Sequence, residues 1–367
     1  MRYNVSIIGA GTSGLIAARE LGKQGISTIA YDQKKVLGHP VRASGIVSIR
    51  GLGSIGIDYS NAITNTLYGA RIHAGKSTMH VNSKTPMAHV LERQLLNQIC
   101  KEQAEDSGAV VSTGKRITAI DLDDIRSDGG IIIGADGAVS TVAKHFGMGS
   151  LTDYVITYKA EFETTISDTR SVDLFFDKEY RGLFGWLCPN TENILEVGIG
   201  INPGKINAKK AFDSFIKGKE IADALGDAKM RNGQASIIPM RLRKRIVDEK
   251  HRVILIGDAA GQVKPTTGGG IVFGGNAAII AAQTIKDHVE KGLALKRYEL
   301  VYKKRFSTDT KVHSLINKIY SRAGTRGMEI GIGIMNSLGM SSLLGKYGDM
   351  DSPIRTLGNT LLRKARG

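Results

Sequence analysis

Cysteine is nearly absent from this chain: among 367 residues only Cys100 and Cys188 occur. Two thiols make no disulfide framework and no cysteine-based metal site, and the histidines lie scattered without metal-ligand spacing, so no metal is expected. Aromatic residues are scarce at 6%, with Trp186 the only tryptophan. A surface that stacks bases needs aromatics interleaved among basic residues, and the basic run RLRKR (241–245) has none, so no nucleic-acid partner is expected. No apolar run is long enough to span a bilayer, and no charged-then-apolar leader opens the chain. These absences leave a soluble cytoplasmic protein, free or peripheral on the inner face of the membrane. Acids are also in deficit: 35 Asp+Glu against 50 Lys+Arg give a formal net charge of +15. That balance suits anionic partners such as phosphorylated substrates or an anionic membrane surface, or simply a solubilising surface.

Glycine, by contrast, is abundant, with 45 residues, and its pattern is sharpest at the start. YNVSII (3–8) has the β-branched composition of a buried parallel strand; GAGTSG (9–14) follows at once, then the helical LIAARELGKQG (15–25) and a second strand, STIAYD (27–32). In this strand–GxGxxG–helix–strand–acid unit, Gly9 permits the tight turn, Gly11 lets the backbone approach a pyrophosphate, and Gly14 lets helix and strand pack closely. The helix N-terminus faces the phosphates. Asp32 stands where an acid accepts the ribose hydroxyls of an ADP moiety. The unit points to a dinucleotide without choosing between FAD and NAD.

Further along, residues 34–52 read as a basic, glycine-containing loop, 67–83 as a hairpin, 87–108 as a helix with Leu91, Leu95 and Ile99 at four-residue spacing, and 109–122 as a return to strand. Between 154 and 202 apolar and polar residues alternate, the pattern of an antiparallel sheet with one wet face. NAKKAFDSFIKGKEIADAL (207–225) reads as a helix, and RVILIGDAAG (252–261) restores the opening style, an apolar strand running into a small-residue turn. The expected fold is α/β (α+β overall): a Rossmann-like dinucleotide-binding domain from 1–66, 87–150 and 251–300, with an inserted antiparallel-sheet substrate domain from 67–86 and 151–250. A C-terminal helical region would span 301–367.

Three separated stretches decide the cofactor: GAGTSG with Asp32, GADGAVSTVAKHFG (134–147), and RVILIGDAAGQVKPTTGGGIVFGGNAA (252–278). Together they resemble the FAD-dependent, p-hydroxybenzoate hydroxylase-like oxidoreductases. The resemblance implies that FAD is the cofactor, that Asp258 bonds its ribityl chain, and that Gly268, Gly269 and Gly270 lie against the pyrimidine end. It also implies that Asp136 and Gly137 shape the site and that Arg93 lies near the cofactor. The same resemblance places Thr12, Ser13, Arg42, Ala43, Ile117, Gly257, Pro265 and Ile271 in the cofactor site. A flavin carries a diphosphate and a polyol, so it needs backbone N–H groups at one place and a carboxylate at another.

Within that superfamily the chain is similar to the geranylgeranyl reductase family, which in archaea saturates isoprenoid chains of membrane lipids. Beside the FAD motifs, the likeness rests on FGWLCP (184–189) and the loop HPVRASGIVS (39–48). The family pattern is similar to Tyr-x-Trp-x-Phe-Pro; here Phe184, Trp186 and Pro189 follow it and would line the substrate channel, while Cys188 replaces Phe. Family members commonly carry a cysteine where this loop has Ala43. The implied function is flavin-dependent reduction of geranylgeranyl C=C bonds in isoprenoid lipids or their precursors, with an external electron donor such as NAD(P)H or ferredoxin. An isolated alkene has no carbonyl to accept electrons, so protonation coupled to hydride delivery is a feasible route, with Trp186 steadying a passing cation. Tyr180, Cys188 or an ordered water would supply the proton. Two alternatives use the same scaffold: a monooxygenase of an aromatic or lipid substrate, and, prompted by the charge, an RNA-modifying flavoprotein. The tail 328–367 mixes apolar residues with Gly and Ser and ends basic, as an amphipathic segment packed on the body or lying on a membrane would.

Overall fold

A computed structural model describes residues 3–41, 43–204 and 206–356. Its first sheet has six strands in the order Val247–Asp248, Val253–Leu255, Ile131–Gly134, Val5–Ile8, Thr28–Asp32 and Val110–Thr113. All but the first pair are parallel, with Val5 opposite both Thr28 and Ile131 and Ile254 opposite Ile133. Every residue of the two central strands is buried, as expected of a parallel sheet covered on both faces. The helices Thr12–Lys23, Arg93–Asp106 and Ile271–Lys291 pack side by side as one layer, and the helix Ala119–Ser127 contacts the strand Ile131–Gly134. Short side chains on Ile271–Lys291 let helices come close: a Cβ on Gly275 would press on Ile55 and Ile16.

A seven-stranded sheet runs Met230–Pro239, Tyr154–Glu163, Ile194–Ile201, Gly182–Pro189, Ser171–Phe175, Gly69–Ala74 and Ser77–Asn82. It is antiparallel apart from Ser171–Phe175 against Gly69–Ala74. Strand alternation divides its side chains. Phe162, Leu187, Val197 and Ile199 meet Phe212 and Phe215 of the helix Ala208–Phe215 on one face. Val155, Val172, Leu183, Phe184, Trp186 and Cys188 cluster on the other, toward the nucleotide-type sheet. A small sheet of Ile46–Ser48, Ala88–Leu91 and Ile63–Leu67 lies between.

Several local expectations change. Residues 87–108 begin as the strand Ala88–Leu91, and Glu92 caps the helix Arg93–Asp106 by accepting from the Gln94 and Leu95 amides. The buried helical face is Leu96, Cys100 and Ala104, packed toward Thr12–Lys23, while Leu95 is 38% exposed. In 109–122 the strand stops at Thr113, and a capping box of Thr118 and Asp121 starts the helix Ala119–Ser127. The stretch 34–52 is not all loop, since it holds the strand Ile46–Ser48 and the start of the helix Ile49–Ile55. Residues 207–225 form two helices, parted before Gly218. C-terminally, Arg297–Ser337 is helical with a break at Gly324 (φ 63°), and Met340–Tyr347 follows. The chain then returns to the body through Asp349–Ser352.

Candidate active site

The glycine-rich turn has the geometry its sequence calls for. Gly9 has φ 104°, and a Cβ there would strike the Ala135 carbonyl; a Cβ on Gly14 would strike the carbonyl of Gly9. Gly11 has no atom within 4 Å on its Cβ side, so its backbone is open to a ligand. Thr12 begins the helix; its Oγ1 donates to Asn97 Oδ1 (3.0 Å) and accepts from Arg93 Nη2 (3.2 Å). Ser13 lies beside Gly257. Asp32 closes the second strand and accepts from the amides of Ala10 (3.0 Å) and Lys34 (2.9 Å), which fixes its carboxylate beside the turn.

Asp136 caps the helix Thr141–His145, accepting from Ser140 Oγ (2.6 Å) and from the amides of Thr141 (2.6 Å) and Val142 (3.1 Å). Burial pushes its carboxyl up, against the pull of those bonds. Gly137 follows with φ 82°. Ile117 is buried in the loop before the helix Ala119–Ser127, and Arg42 lies outside the described residues. Asp258 sits at the turn after Val253–Leu255, where burial pushes its carboxyl up to about 6 although Arg93 opposes the shift.

Asp258 and Arg93 share a cavity of about 250 Å³ with Ala43, Ser44, Thr267, Gly268, Gly269, Gly270 and Ile271. Pro265 is buried just outside this lining. Arg93 is half-buried, with its Nη1 shielded and lacking any hydrogen-bond partner, and the Asp258 carboxylate accepts no hydrogen bond among the described residues. An unpaired guanidinium nitrogen and an unpaired carboxylate beside a glycine loop fit a ligand that offers both acceptors and hydroxyl donors, as FAD does. The opposite wall is apolar: Val172, Leu174, Leu183, Phe184, Trp186, Ile238 and Met350.

The motif residues of the substrate sheet separate here. Phe184 and Trp186 line the cavity, their rings 6.4 Å apart and edge-on. Pro189 ends its strand away from the cavity, its carbonyl accepting from Asn65 Nδ2 at 2.7 Å. Cys188 is wholly buried behind the wall, where desolvation and the nearby Glu196 push its thiol well up. Tyr180 borders a different, smaller hollow with Phe176 and Tyr320, and burial pushes its hydroxyl up to about 12. Neither group reaches the cavity that the flavin motifs border.

Five polar residues in or near the cavity were not foreseen. Glu196, 1% exposed, accepts from Trp186 Nε1 (2.9 Å) and from Ser44 Oγ (2.6 Å), and pairs with Lys159 at 2.5 Å. Lys264, in the cavity lining, pairs with Asp351 at 2.7 Å. The acid inside ILEVGIGI, on the face opposite Val197 and Ile199, was the signal for Glu196. Among the described residues no cluster of His, Cys, Asp and Glu has the makings of a metal site.

Residues 2–294 match the model of the FAD binding domain family. A digeranylgeranylglycerophospholipid reductase of Methanosphaera stadtmanae is 30% identical over 324 residues, covering 80% of this chain and 81% of that one. The chain belongs to the geranylgeranyl reductase family of FAD-dependent oxidoreductases. Another member, the digeranylgeranylglycerophospholipid reductase of Methanocaldococcus jannaschii, is 27% identical and covers 87% of each chain. The fold is similar to that of a geranylgeranyl bacteriochlorophyll reductase-like protein from Thermoplasma acidophilum, with a TM-score of 0.81 at 20% identity, covering 97% of this chain and 95% of that one. The cofactor is FAD.

Proposed function

We propose that this protein is a flavin-dependent reductase that saturates C=C bonds of geranylgeranyl chains in isoprenoid membrane lipids or their precursors. The observation that carries the reading is the two-sided cavity. Glycine-loop backbone with Arg93 and Asp258 forms one side, and an apolar wall ending in Phe184 and Trp186 forms the other. FAD, when bound, supplies the hydride. Gly9, Gly11 and Gly14 would admit its diphosphate, Asp32 its adenosine ribose, and Asp258 its ribityl hydroxyls. The apolar wall holds a prenyl chain and keeps water away, and the Trp186 ring offers electron density to positive charge that develops on the alkene. Phe184 sets the edge of that ring.

A surface feature supports a lipid source for the substrate. In Arg297–Ser337, before the break at Gly324, Val301, Lys304, Lys311, Leu315, Lys318, Ile319 and Arg322 are exposed at positions that fall along one side of the helix. Apolar residues interleaved with long cationic ones suit the interface of an anionic membrane. No helix among the described residues is long and apolar enough to cross a membrane. The electron donor is external, a nicotinamide, a ferredoxin or another reductant.

The test is anaerobic. Chemically reduced, FAD-loaded protein is mixed with a digeranylgeranylglycerophospholipid in detergent, and flavin reoxidation is followed with the mass of the lipid. Two hydrogens gained per bond without oxygen are expected. A lipid that stays unsaturated, or an oxygen atom appearing in the product once air is admitted, would favour the monooxygenase.

A further inference from the structure

The wall that carries Trp186 hides an ion pair with no part in holding FAD. Three strands bring it together: Gly198 stands opposite Trp186 of Gly182–Pro189 on one side and opposite Lys159 of Tyr154–Glu163 on the other. Glu196 lies two residues before Gly198, on the same face of the sheet. Because Gly198 has no side chain, the indole lies where a Cβ would be, and its Nε1–H reaches Glu196 Oε1 at 2.9 Å. Ser44, from the loop before Ile46–Ser48, donates to the same oxygen at 2.6 Å, and Oε2 meets Lys159 Nζ. Lys159 and Glu196 are 4% and 1% exposed. Burying an ion pair costs desolvation free energy that apolar residues of the same size would not incur, so such a pair calls for a use. Satisfying one indole N–H needs no charge, since an amide oxygen accepts as well. What the carboxylate adds is negative charge beside the nitrogen of the only indole in the cavity wall.

We infer that Glu196 is a positioning residue for the reduction and acts through Trp186. Its carboxylate fixes the indole in the cavity wall and enriches the ring in electrons where the alkene gains positive charge. The inference rests on the reductase reading of the same cavity. An N–H that donates to a carboxylate is polarised toward the oxygen, and the density left on nitrogen is shared with the π system of the ring. A richer ring attracts a passing cation more strongly. Lys159 holds the far oxygen, so the pair is a dipole with its negative end at the indole. The lysine takes no share in the chemistry; it lets the charge stand in a dry wall. No proton or electron moves in this role. Ser44 shares Oε1 with the indole, and its neighbour Ala43 lines the cavity with Arg93. One carboxylate therefore also ties the aromatic wall to the loop that borders the flavin motifs.

Lys159→Met with Glu196→Gln tests the inference, because it removes both charges and keeps an oxygen for the indole and for Ser44. The FAD-loaded protein is reduced anaerobically and mixed with digeranylgeranylglycerophospholipid. Lipid-driven flavin reoxidation at saturating lipid should fall about 10-fold, the scale of one weakened cation–π contact. The KM for lipid, flavin content and reoxidation by oxygen should match the parent. Trp186 emission should move to shorter wavelength, since excitation draws electrons from the pyrrole nitrogen and the carboxylate no longer steadies that state. Lys159→Gln with Glu196→Gln, whose amides can bond to each other, should behave alike and guards against a loss of fold. In Trp186→Phe, which keeps a ring without an N–H, adding either pair of changes should cost no further rate. A charge-free pair that leaves rate and emission unchanged would overturn the inference. So would a loss confined to KM, or an equal loss of rate on the Trp186→Phe background. A parent that lipid does not reoxidise overturns the reductase reading and this role with it; a parent that lipid does reoxidise, with variants equally fast, overturns this role alone.

Discussion

Lys264 and Asp351, 87 residues apart, meet at 2.7 Å over the cavity and are both largely buried. Asp351 also accepts from Ser48 Oγ, while Asp349 pairs with Arg50 at 3.0 Å and with Arg355 at 3.1 Å. Met350, between the two acids, enters the cavity lining. The C-terminal segment is therefore a strap tied to the flavin-motif loop. Lys264→Met strands a buried carboxylate, and it is expected to cost about 3 kcal/mol of stability in urea titration. It should also speed proteolysis after Tyr347. Unchanged stability and cleavage would mean that the pair adds nothing to the hold.

Asp258 makes FAD binding depend on pH. Burial raises its carboxyl from 3.8 to about 6 in the ligand-free protein. Between those values the folded state keeps a proton that the unfolded chain has lost, so stability falls as pH rises across the window, by about 3 kcal/mol in all. Ribityl hydroxyls donate to the ionised form and favour it, so FAD affinity should tighten as pH rises through 6. Asp258→Asn should flatten both profiles, and Asp258→Ala should weaken FAD retention by about 1.5–3 kcal/mol. Equilibrium dialysis across pH with parent and Asn variant decides the matter; a pH dependence that survives the substitution refutes it.

Gly198 makes room for the only tryptophan. It stands opposite Trp186 in the sheet, and a Cβ there would press on the six-membered ring of the indole. Gly198→Ala should therefore displace the ring, cost about 1–3 kcal/mol, and shift Trp186 emission while flavin content holds. Identical emission in the variant would show that the ring tolerates the methyl group.

On the helix Arg297–Ser337, Leu315→Ser with Ile319→Ser should weaken co-sedimentation with anionic vesicles at low salt. Lys318→Glu with Arg322→Glu should weaken it further, since each cation near an anionic leaflet contributes about 1 kcal/mol. Neutral vesicles should bind less in every case. Equal binding of parent and variants to both vesicle types would leave the charge as a solubility feature.

The nucleotide-type sheet was legible because its signals are local: an apolar run, a glycine turn and an acid fix each unit within a few tens of residues. The Leu91, Leu95 and Ile99 spacing misled, because Glu92 ends a strand there and the helix phase is set by docking against Thr12–Lys23. Tyr180 and Cys188 were singled out for their nearness to Trp186 in sequence. Tyr180 instead sits in the turn before that strand and borders a separate hollow. Cys188 is on the same face as Trp186, yet it is wholly buried and does not line the cavity. Glu196, Lys159 and Ser44 could not be grouped from the sequence, since only the pairing of Tyr154–Glu163 with Ile194–Ile201 and the docking of the loop before Ile46 bring them together.

The parallel sheet is assembled from strands that begin at Val5 and finish at Leu255, with Asp258 and the glycine loop arriving later still. A nascent chain therefore cannot complete the flavin pocket until the helix Ile271–Lys291 has left the ribosome, and the strap over it waits for Ser352. The opening strand has both its neighbours once Ile131–Gly134 is made, but that strand waits for Val253–Leu255, and such long-range pairings are slow to form and prone to aggregation meanwhile. Cofactor capture is thus a late event in the biogenesis of this protein, and flavin supplied during expression should raise the yield of folded chain rather than the rate at which its first helices appear.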